Sequence, residues 1–233
     1  MTASPDPATS VPVVAIDGPS GSGKGTVSRL LAQRLGWHRL DSGALYRLVA
    51  YAGQRARLAP DDAAGHTELA RRMQVEFDQS AAEDRVLLDG ADVTEALRDQ
   101  ETAAGASRVA AWPSLRAALV ARQREAALAP GLVADGRDMG TVIFPQAALK
   151  IFLTATPEER AKRRYNQLKG KDSGVSLPAL SREIAERDRR DATRSVAPLV
   201  PAADAIVLDS TTLSAVEVTD AIVAIGRARA LWR

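Results

Sequence analysis

The chain predicts an α/β protein built on a parallel sheet with helices packed on its faces, and three observations carry that expectation. Short apolar runs recur at Val13 to Ile16, Leu132 to Ala134, Leu149 to Leu153 and Ala205 to Leu208, with helical patterns between them. The runs lack polar alternation, so they read as strands buried on both faces, as in a doubly wound sheet whose ligands lie beyond the carboxyl ends of the strands. The first run leads directly into a glycine-rich turn and then an amphipathic stretch (Val27, Leu30, Leu31, Leu35), which supplies a strand–turn–helix unit. Asp17, Asp135 and Asp209 fall at the ends of such runs.

At 233 residues the chain has room for one α/β domain with a small insert. Met1 to Ser10 has neither a basic n-region nor an apolar h-region and reads as a disordered tail rather than a signal peptide. The stretch from about Leu69 to Ser107 breaks the βα rhythm. Gln74 to Phe77 and Arg85 to Leu88 read as two strands joined by a polar turn, and Asp89-Gly90-Ala91-Asp92 as a second turn, giving a small antiparallel insert. Two cap signatures start helices. Thr156-Pro157-Glu158-Glu159 offers an N-cap, an N1 proline and a capping-box glutamate, and Ser214-Ala215-Val216-Glu217 offers a second box. In the last helix Val218, Ile222 and Ile225 form a core-facing stripe.

Composition narrows the chemistry. The absence of cysteine excludes disulfides and thiolate metal sites, and two histidines, His38 and His66, make a histidine-based zinc site improbable. No apolar run approaches the roughly 18 residues of a membrane span. The pI of about 9.1 reflects a small surplus, because 31 basic residues face 29 acidic ones. Arginines concentrate between Arg160 and Arg194, whereas only three each of Trp, Tyr and Phe are available for stacking on bases. A small anionic ligand fits that distribution better than a polynucleotide.

The anion is a phosphate. Gly18, Pro19, Ser20, Gly21, Ser22, Gly23, Lys24, Gly25 and Thr26 match G-x-x-x-x-G-K, a phosphate loop in which backbone N–H groups and a helix N-terminus face the anion. Lys24 adds a mobile positive charge beside the outer phosphates. Gly25 stands where Ser or Thr is usual and Thr26 follows one place later, a variant typical of nucleotide and small-metabolite kinases that weakens the case for magnesium ligation by Thr26. On the helix opened by Pro157, Arg160, Arg163 and Arg164 share a face. They either neutralise the γ-phosphoryl oxygens of ATP or belong to a solvated helix with pairs such as Glu159 to Arg163. Arg187, Asp191 and Arg194 share another stripe, suited to a ligand with phosphate and hydroxyl groups or to a surface salt-bridge ladder that includes Arg189 and Arg190. Asp135, at a strand end, suits magnesium and its waters, or simply a turn, while Arg137 and Asp138 put a base and an acid in the same crevice. Ser42 and Arg47, after Asp41, suit a second phosphate, although Asp-Ser-Gly is also a routine strand-to-helix turn.

Taken together, Gly18 to Thr26, Asp41-Ser-Gly-Ala-Leu-Tyr-Arg47, Asp135-Gly-Arg-Asp-Met-Gly-Thr141, Glu186-Arg-Asp-Arg-Arg-Asp191 and Val196-Ala-Pro-Leu-Val-Pro-Ala-Ala-Asp204 closely resemble the bacterial cytidylate kinases, P-loop nucleoside monophosphate kinases. The resemblance spans nearly the whole chain after residue 10. It implies a P-loop three-layer fold with a five-stranded parallel sheet as a single kinase domain over 11–233. It also implies an NMP-binding insert at about 69–107 and a helical lid at about 156–176. The implied reaction moves the γ-phosphoryl group of ATP to CMP or dCMP with Mg2+, in pyrimidine metabolism. Lys24, Arg160, Arg164 and Asp135 are then catalytic, Thr26 and Asp135 face the metal, the latter through water, and Ser42, Arg47, Ser107, Arg116, Arg137, Asp138, Arg187, Asp191 and Arg194 line the CMP site. Ser107 and Arg116 come from the resemblance alone, since by themselves they read as a helix serine and a solvated arginine. A carboxylate such as Asp138 accepts from the exocyclic amine of cytosine and repels the carbonyl of uracil. The expected enzyme is a cytoplasmic monomer acting on free nucleotides, without nucleic acid polymer or membrane. Two alternatives stay open at this stage: another kinase, such as an adenylate or UMP kinase, and a nucleotide-dependent switch that holds ATP without an acceptor.

Overall fold

In a computed structural model that describes residues 11–78, 84–169 and 176–232, Val13–Asp17 (β1) is the middle strand of a five-stranded parallel sheet. The expected tail at 1–10 and the part of the expected lid at 170–175 lie outside the described residues. In chain order β1 is followed by Lys24–Leu35 (α1), His38–Asp41 (β2), Ser42–Arg55 (α2), Ala63–Arg72 (α3), Val75–Asp78 (β3), Arg85–Leu88 (β4) and Ala91–Asp92 (β5). Then come Gln100–Val109 (α4), Pro113–Glu125 (α5), Leu132–Gly136 (β6), a π-helical turn at Met139–Ile143, and Leu149–Thr154 (β7). Pro157–Leu168 (α6), Leu177–Ala192 (α7), Ile206–Asp209 (β8) and Ala215–Ala228 (α8) complete the chain.

Two compact units divide it: Met1–Leu40 with Arg124–Arg233, and Asp41–Gln123. The first unit carries the large sheet, in the order β2-β6-β1-β7-β8. β1 lies parallel to β6, with Ile16 opposite Asp135, and to β7, with Ile16 opposite Ile151; β8 continues beyond β7. All five residues of β1 and of β6 are buried, as uninterrupted apolar runs require, whereas the edge strand β8 alternates between half-buried and exposed. The core follows from helix periodicity. Val27, Leu31 and Ala32 of α1 and Val218, Ile222 and Val223 of α8 meet Val14, Ile16, Val133, Leu149, Ile151 and Leu153 of the sheet. The edge of Trp37 packs against Trp232 beside this cluster.

The second unit is mostly helical. α2 packs on α3 and α4, burying Leu45, Leu48, Val49 and Ala106, and β3, β4 and β5 form an antiparallel sheet, so the two expected strands pair. Their joining turn at 79–83 lies outside the described residues, and the expected turn Asp89-Gly90-Ala91-Asp92 is corrected, since only Asp89 and Gly90 turn while Ala91–Asp92 pairs with β4 as β5. His66 is structural, with Nδ1 2.7 Å from the Asp62 carbonyl and its ring against Trp112. Caps behave as local sequence dictates, with one exception. Ser214 and Glu217 form the full reciprocal box. Thr156 accepts from the Glu159 N–H at 3.4 Å, but the expected return bond is absent: the Thr156 N–H donates to Thr211 Oγ1 and the Glu159 carboxylate pairs with Arg163. No described helix is long and apolar enough to cross a membrane.

Candidate active site

The phosphate loop leaves β1 at Gly18, whose φ of +148° and whose neighbour, the Leu153 carbonyl 2.0 Å from any added Cβ, exclude every other residue. Gly23 occupies the N-cap of α1 in a left-handed conformation (φ 94°) with no side-chain cap, so the first amides of α1 stay open to an anion. The Lys24 ammonium is buried and donates to the Pro19 carbonyl at 2.8 Å, bridging the two ends of the loop. Burial holds its pKa well below the ordinary lysine value, the positive charges of Arg137 and Arg187 press the same way, and Asp135 and Asp17 oppose them.

Of the three arginines of α6, Arg160 and Arg163 both reach the phosphate loop, and Arg163 also makes the pair with Glu159 that the second reading of this helix expected. Arg160 is buried and donates from Nε to the Ala155 carbonyl, from Nη1 to the Ser20 carbonyl at 3.1 Å, and from Nη2 to Asp188 at 2.6 Å. Arg163 donates to the carbonyls of Ser22 and Ser210 and to Ser210 Oγ. Both therefore hold carbonyls of the phosphate loop, while Arg164, half-buried like Arg163, donates to Gln167 at 3.5 Å. A loop made of glycines has little rigidity of its own, and carbonyl contacts to two guanidiniums supply it.

β6 ends in a cluster of charged side chains. Asp135 is buried, and its Oδ2 lies 2.6 Å from Ser28 Oγ, a hydroxyl on the second turn of α1 that the sequence reading passed over. Thr26 is exposed on the first turn. Arg137 Nε donates to Asp191 Oδ2 at 2.9 Å, and Arg194 Nη2 donates to Asp191 Oδ1. Burial works to raise the Asp191 pKa, but Arg137, Arg194 and Arg187 outweigh it and hold the carboxyl below its ordinary value. α7 ends at Ala192, so Arg194 reaches Asp191 through the following turn and not as part of a helical stripe. Arg190 pairs with Glu186 at 3.2 Å, the surface ladder expected of it. Asp138 is buried beside the π-helical turn.

In the unit Asp41–Gln123, Asp41 caps α2 by accepting from the Ala44 N–H at 3.0 Å, and its second oxygen takes Arg47 Nη2 at 2.8 Å. Ser42 is buried at the start of that helix. Arg116 is no solvated arginine: it is 5% exposed, donates to the Ala110 carbonyl at 3.3 Å and lies over the Tyr46 ring. Ser107 is 5% exposed and its hydroxyl has no hydrogen-bond partner among the described residues. A buried donor in that condition suits a ligand.

Among the described residues no three His, Asp or Glu side chains cluster as a metal cage. Asp17 Oδ1 and Oδ2 are each taken by a backbone amide. Asp135 lies beside α1, where Ser28 Oγ donates to its Oδ2. That donor set fits a magnesium ion bound chiefly by nucleotide phosphates and water.

An open helix N-terminus, a buried lysine spanning its loop and a strand-end carboxylate define a P-loop phosphotransferase. A solved structure of an uncharacterised protein from Eubacterium ventriosum shares the fold, with a TM-score of 0.51 at 14% identity over 94% of this chain and 99% of that one. The profile of the family described as cytidylate kinase matches residues 14–228. The chain is 57% identical over 216 residues to a cytidylate kinase of Stutzerimonas stutzeri, covering 91% of this chain and 93% of the relative. It is 52% identical to that of Colwellia psychrerythraea over 91% and 95%. The chain belongs to the cytidylate kinase family.

Proposed function

We propose that the protein transfers the γ-phosphoryl group of ATP to CMP or dCMP, releasing ADP and CDP or dCDP. The observation that carries this reading is the end of β6. Within four residues it sets Asp135 against α1, Arg137 against Asp191, and the buried Asp138 beside them. A donor-side carboxylate and an acceptor-side guanidinium on one strand end suit in-line transfer between two bound phosphates.

The phosphate loop from Gly18 to Thr26 holds the ATP phosphates, and Lys24 follows the charge that develops on the transferred group. Arg160 is assigned to keeping the loop in shape and Arg164 to the γ-phosphoryl oxygens. Thr26, and Asp135 through water, would hold magnesium, which would supply charge neutralisation between the phosphates. Ser42 and Arg47 are assigned to the acceptor phosphate, Ser107, Arg116, Arg137 and Asp138 to the cytosine end, and Arg187, Asp191 and Arg194 to the sugar and phosphate. Support for these assignments comes from the Ser107 hydroxyl, unpartnered among the described residues, the stacked Arg116 and the carboxylate fixed between Arg137 and Arg194.

No covalent intermediate is needed. The acceptor phosphate is ionised at neutral pH, so rate enhancement comes from positioning, water exclusion by a lid at about 156–176, and charge stabilisation. The stretch at about 69–107 is read as the NMP-binding insert of a single kinase domain. With 31 basic residues against 29 acidic ones and few aromatics, an enzyme acting on free nucleotides fits better than one acting on a polynucleotide; a monomeric, cytoplasmic protein is part of the same proposal. ADP production with ATP and magnesium, measured against CMP, dCMP, UMP, AMP and GMP, tests it. CMP and dCMP are expected to dominate, and preference for another nucleotide overturns the base assignments.

A further inference from the structure

The assignments above leave one buried carboxylate of the phosphate-loop unit without a task. Asp17 ends β1 immediately before Gly18 and is 4% exposed. Its Oδ1 accepts from the Met139 N–H and its Oδ2 from the Gly140 N–H, each at 2.8 Å. These two amides open the π-helical turn that follows Asp138, and the carbonyl of Asp138 in turn accepts from the N–H groups of Val142 and Ile143.

The geometry is demanding of residue type. Two neighbouring amides that point at one side chain need two acceptors, and of the side chains this short only a carboxylate offers both; asparagine would turn an NH2 toward one of the donors. Two bonds to two different oxygens also fix rotation as well as position, which one bond cannot do. The arrangement is kept at a cost. Burial, eased by the two amides and aggravated by the nearby charge of Asp138, pushes the Asp17 pKa up to about 6. Packing closes the other side, since a Cβ added at Gly140 would lie 3.1 Å from Lys150 Cδ and 3.4 Å from Asp17 Oδ2.

We propose that Asp17 is a positioning residue for base recognition: by holding the Met139 and Gly140 amides it sets Asp138 where it accepts from the exocyclic amine of cytosine. The inference rests on the assignment of Asp138 to the base. It joins acceptor specificity to β1, the strand that also launches the phosphate loop.

The test compares kcat and KM for CMP and UMP in the wild type, Asp17→Asn, Asp138→Ala and the double variant. Wild-type preference for CMP is the outcome that sustains the parent reading; its absence overturns both that reading and this inference, before any variant is made. In Asp17→Asn the KM for CMP is expected to rise about tenfold, with kcat at saturation changed less than about threefold and the CMP to UMP ratio of kcat/KM down about tenfold, the scale of one lost buried hydrogen bond. With Asp138 already alanine, adding Asp17→Asn is expected to change that ratio by less than about twofold, because the effect runs through Asp138. Equal losses for CMP and UMP, or additive effects in the double variant, overturn the proposal and leave Asp17 a scaffold residue. Should Asp17→Asn fail to fold, Gly140→Ala presses on the same contact from the opposite side. It is expected to lower the CMP to UMP ratio in the same direction, and an unchanged ratio there overturns the proposal equally.

Discussion

Replacing Asp191 by asparagine keeps the shape of a side chain that is 1% exposed and removes its charge. Its Oδ2 takes Arg137 at 2.9 Å and its Oδ1 takes Arg194, whose side chain is 8% exposed. Asparagine retains one oxygen, now neutral, and turns an NH2 toward the other guanidinium. A charge-assisted hydrogen bond contributes about 1.5–3 kcal/mol, so losing one and weakening the other costs about 2–4 kcal/mol. That lies near the roughly 3–5 kcal/mol seen when one partner of a buried pair is removed. For a chain of this size each kcal/mol lowers Tm by about 2–4 °C, giving a drop of about 10 °C. The pH dependence has a definite sign. The Asp191 pKa is held below its ordinary value of 3.8, so the stability it contributes is complete above that value and is lost as pH falls through the lower, folded-state value. Thermal melts of Asp191→Asn and the wild type are therefore expected to differ at neutral pH and to converge in strong acid. An unchanged Tm at neutral pH, with ADP production intact, refutes the claim that this carboxylate holds the arginine cluster together.

Further expectations follow from other contacts. Lys24→Ala is expected to lower kcat by a factor of about a hundred or more while leaving CMP binding, read by calorimetry, within about threefold; equal kcat removes Lys24 from the transfer step. Arg163→Ala removes the bonds to Ser22 and Ser210, and is expected to raise the KM for ATP about tenfold with the KM for CMP unaltered, whereas a parallel rise in both marks general unfolding. Asp17, raised to about 6 by burial, makes its own contribution to stability in full below pH 3.8 and loses it progressively as pH rises through about 6. Asp17→Asn is expected to flatten that decline, worth about 3 kcal/mol at most, and a slope unaffected by the substitution shows that Asp17 does not titrate there.

Sequence alone determined the features set by neighbours along the chain. The apolar runs at Val13, Leu132 and Leu149 marked strands because burial on both faces leaves no polar alternation to confuse, whereas the run at Ala205 marked a strand that, at the sheet edge, is only half-buried and exposed by turns. The glycine pattern from Gly18 to Lys24 marked the phosphate loop because close backbone approach admits no side chain there. The Ser214 to Glu217 box and the hairpin within the insert depend on residues a few positions apart, and both are as expected.

Only the tertiary structure decided which of the chemically suitable side chains face one another. Ser28 meets Asp135 across 107 positions, Asp17 reaches Met139 across 122, and Arg160 reaches Ser20 across 140. Helical spacing put Arg160, Arg163 and Arg164 on one face, either as cations for a ligand or as part of a helix with pairs such as Glu159 to Arg163. The packing of α6 instead turned two of them into clamps on the loop's carbonyls, with Asp188 of α7 as a counterion that no local pattern marks. The physical reason is register. Which strand lies beside β1, and which residue of β6 stands opposite Ile16, fixes every one of these pairings, and register is a property of the assembled sheet rather than of any segment within it.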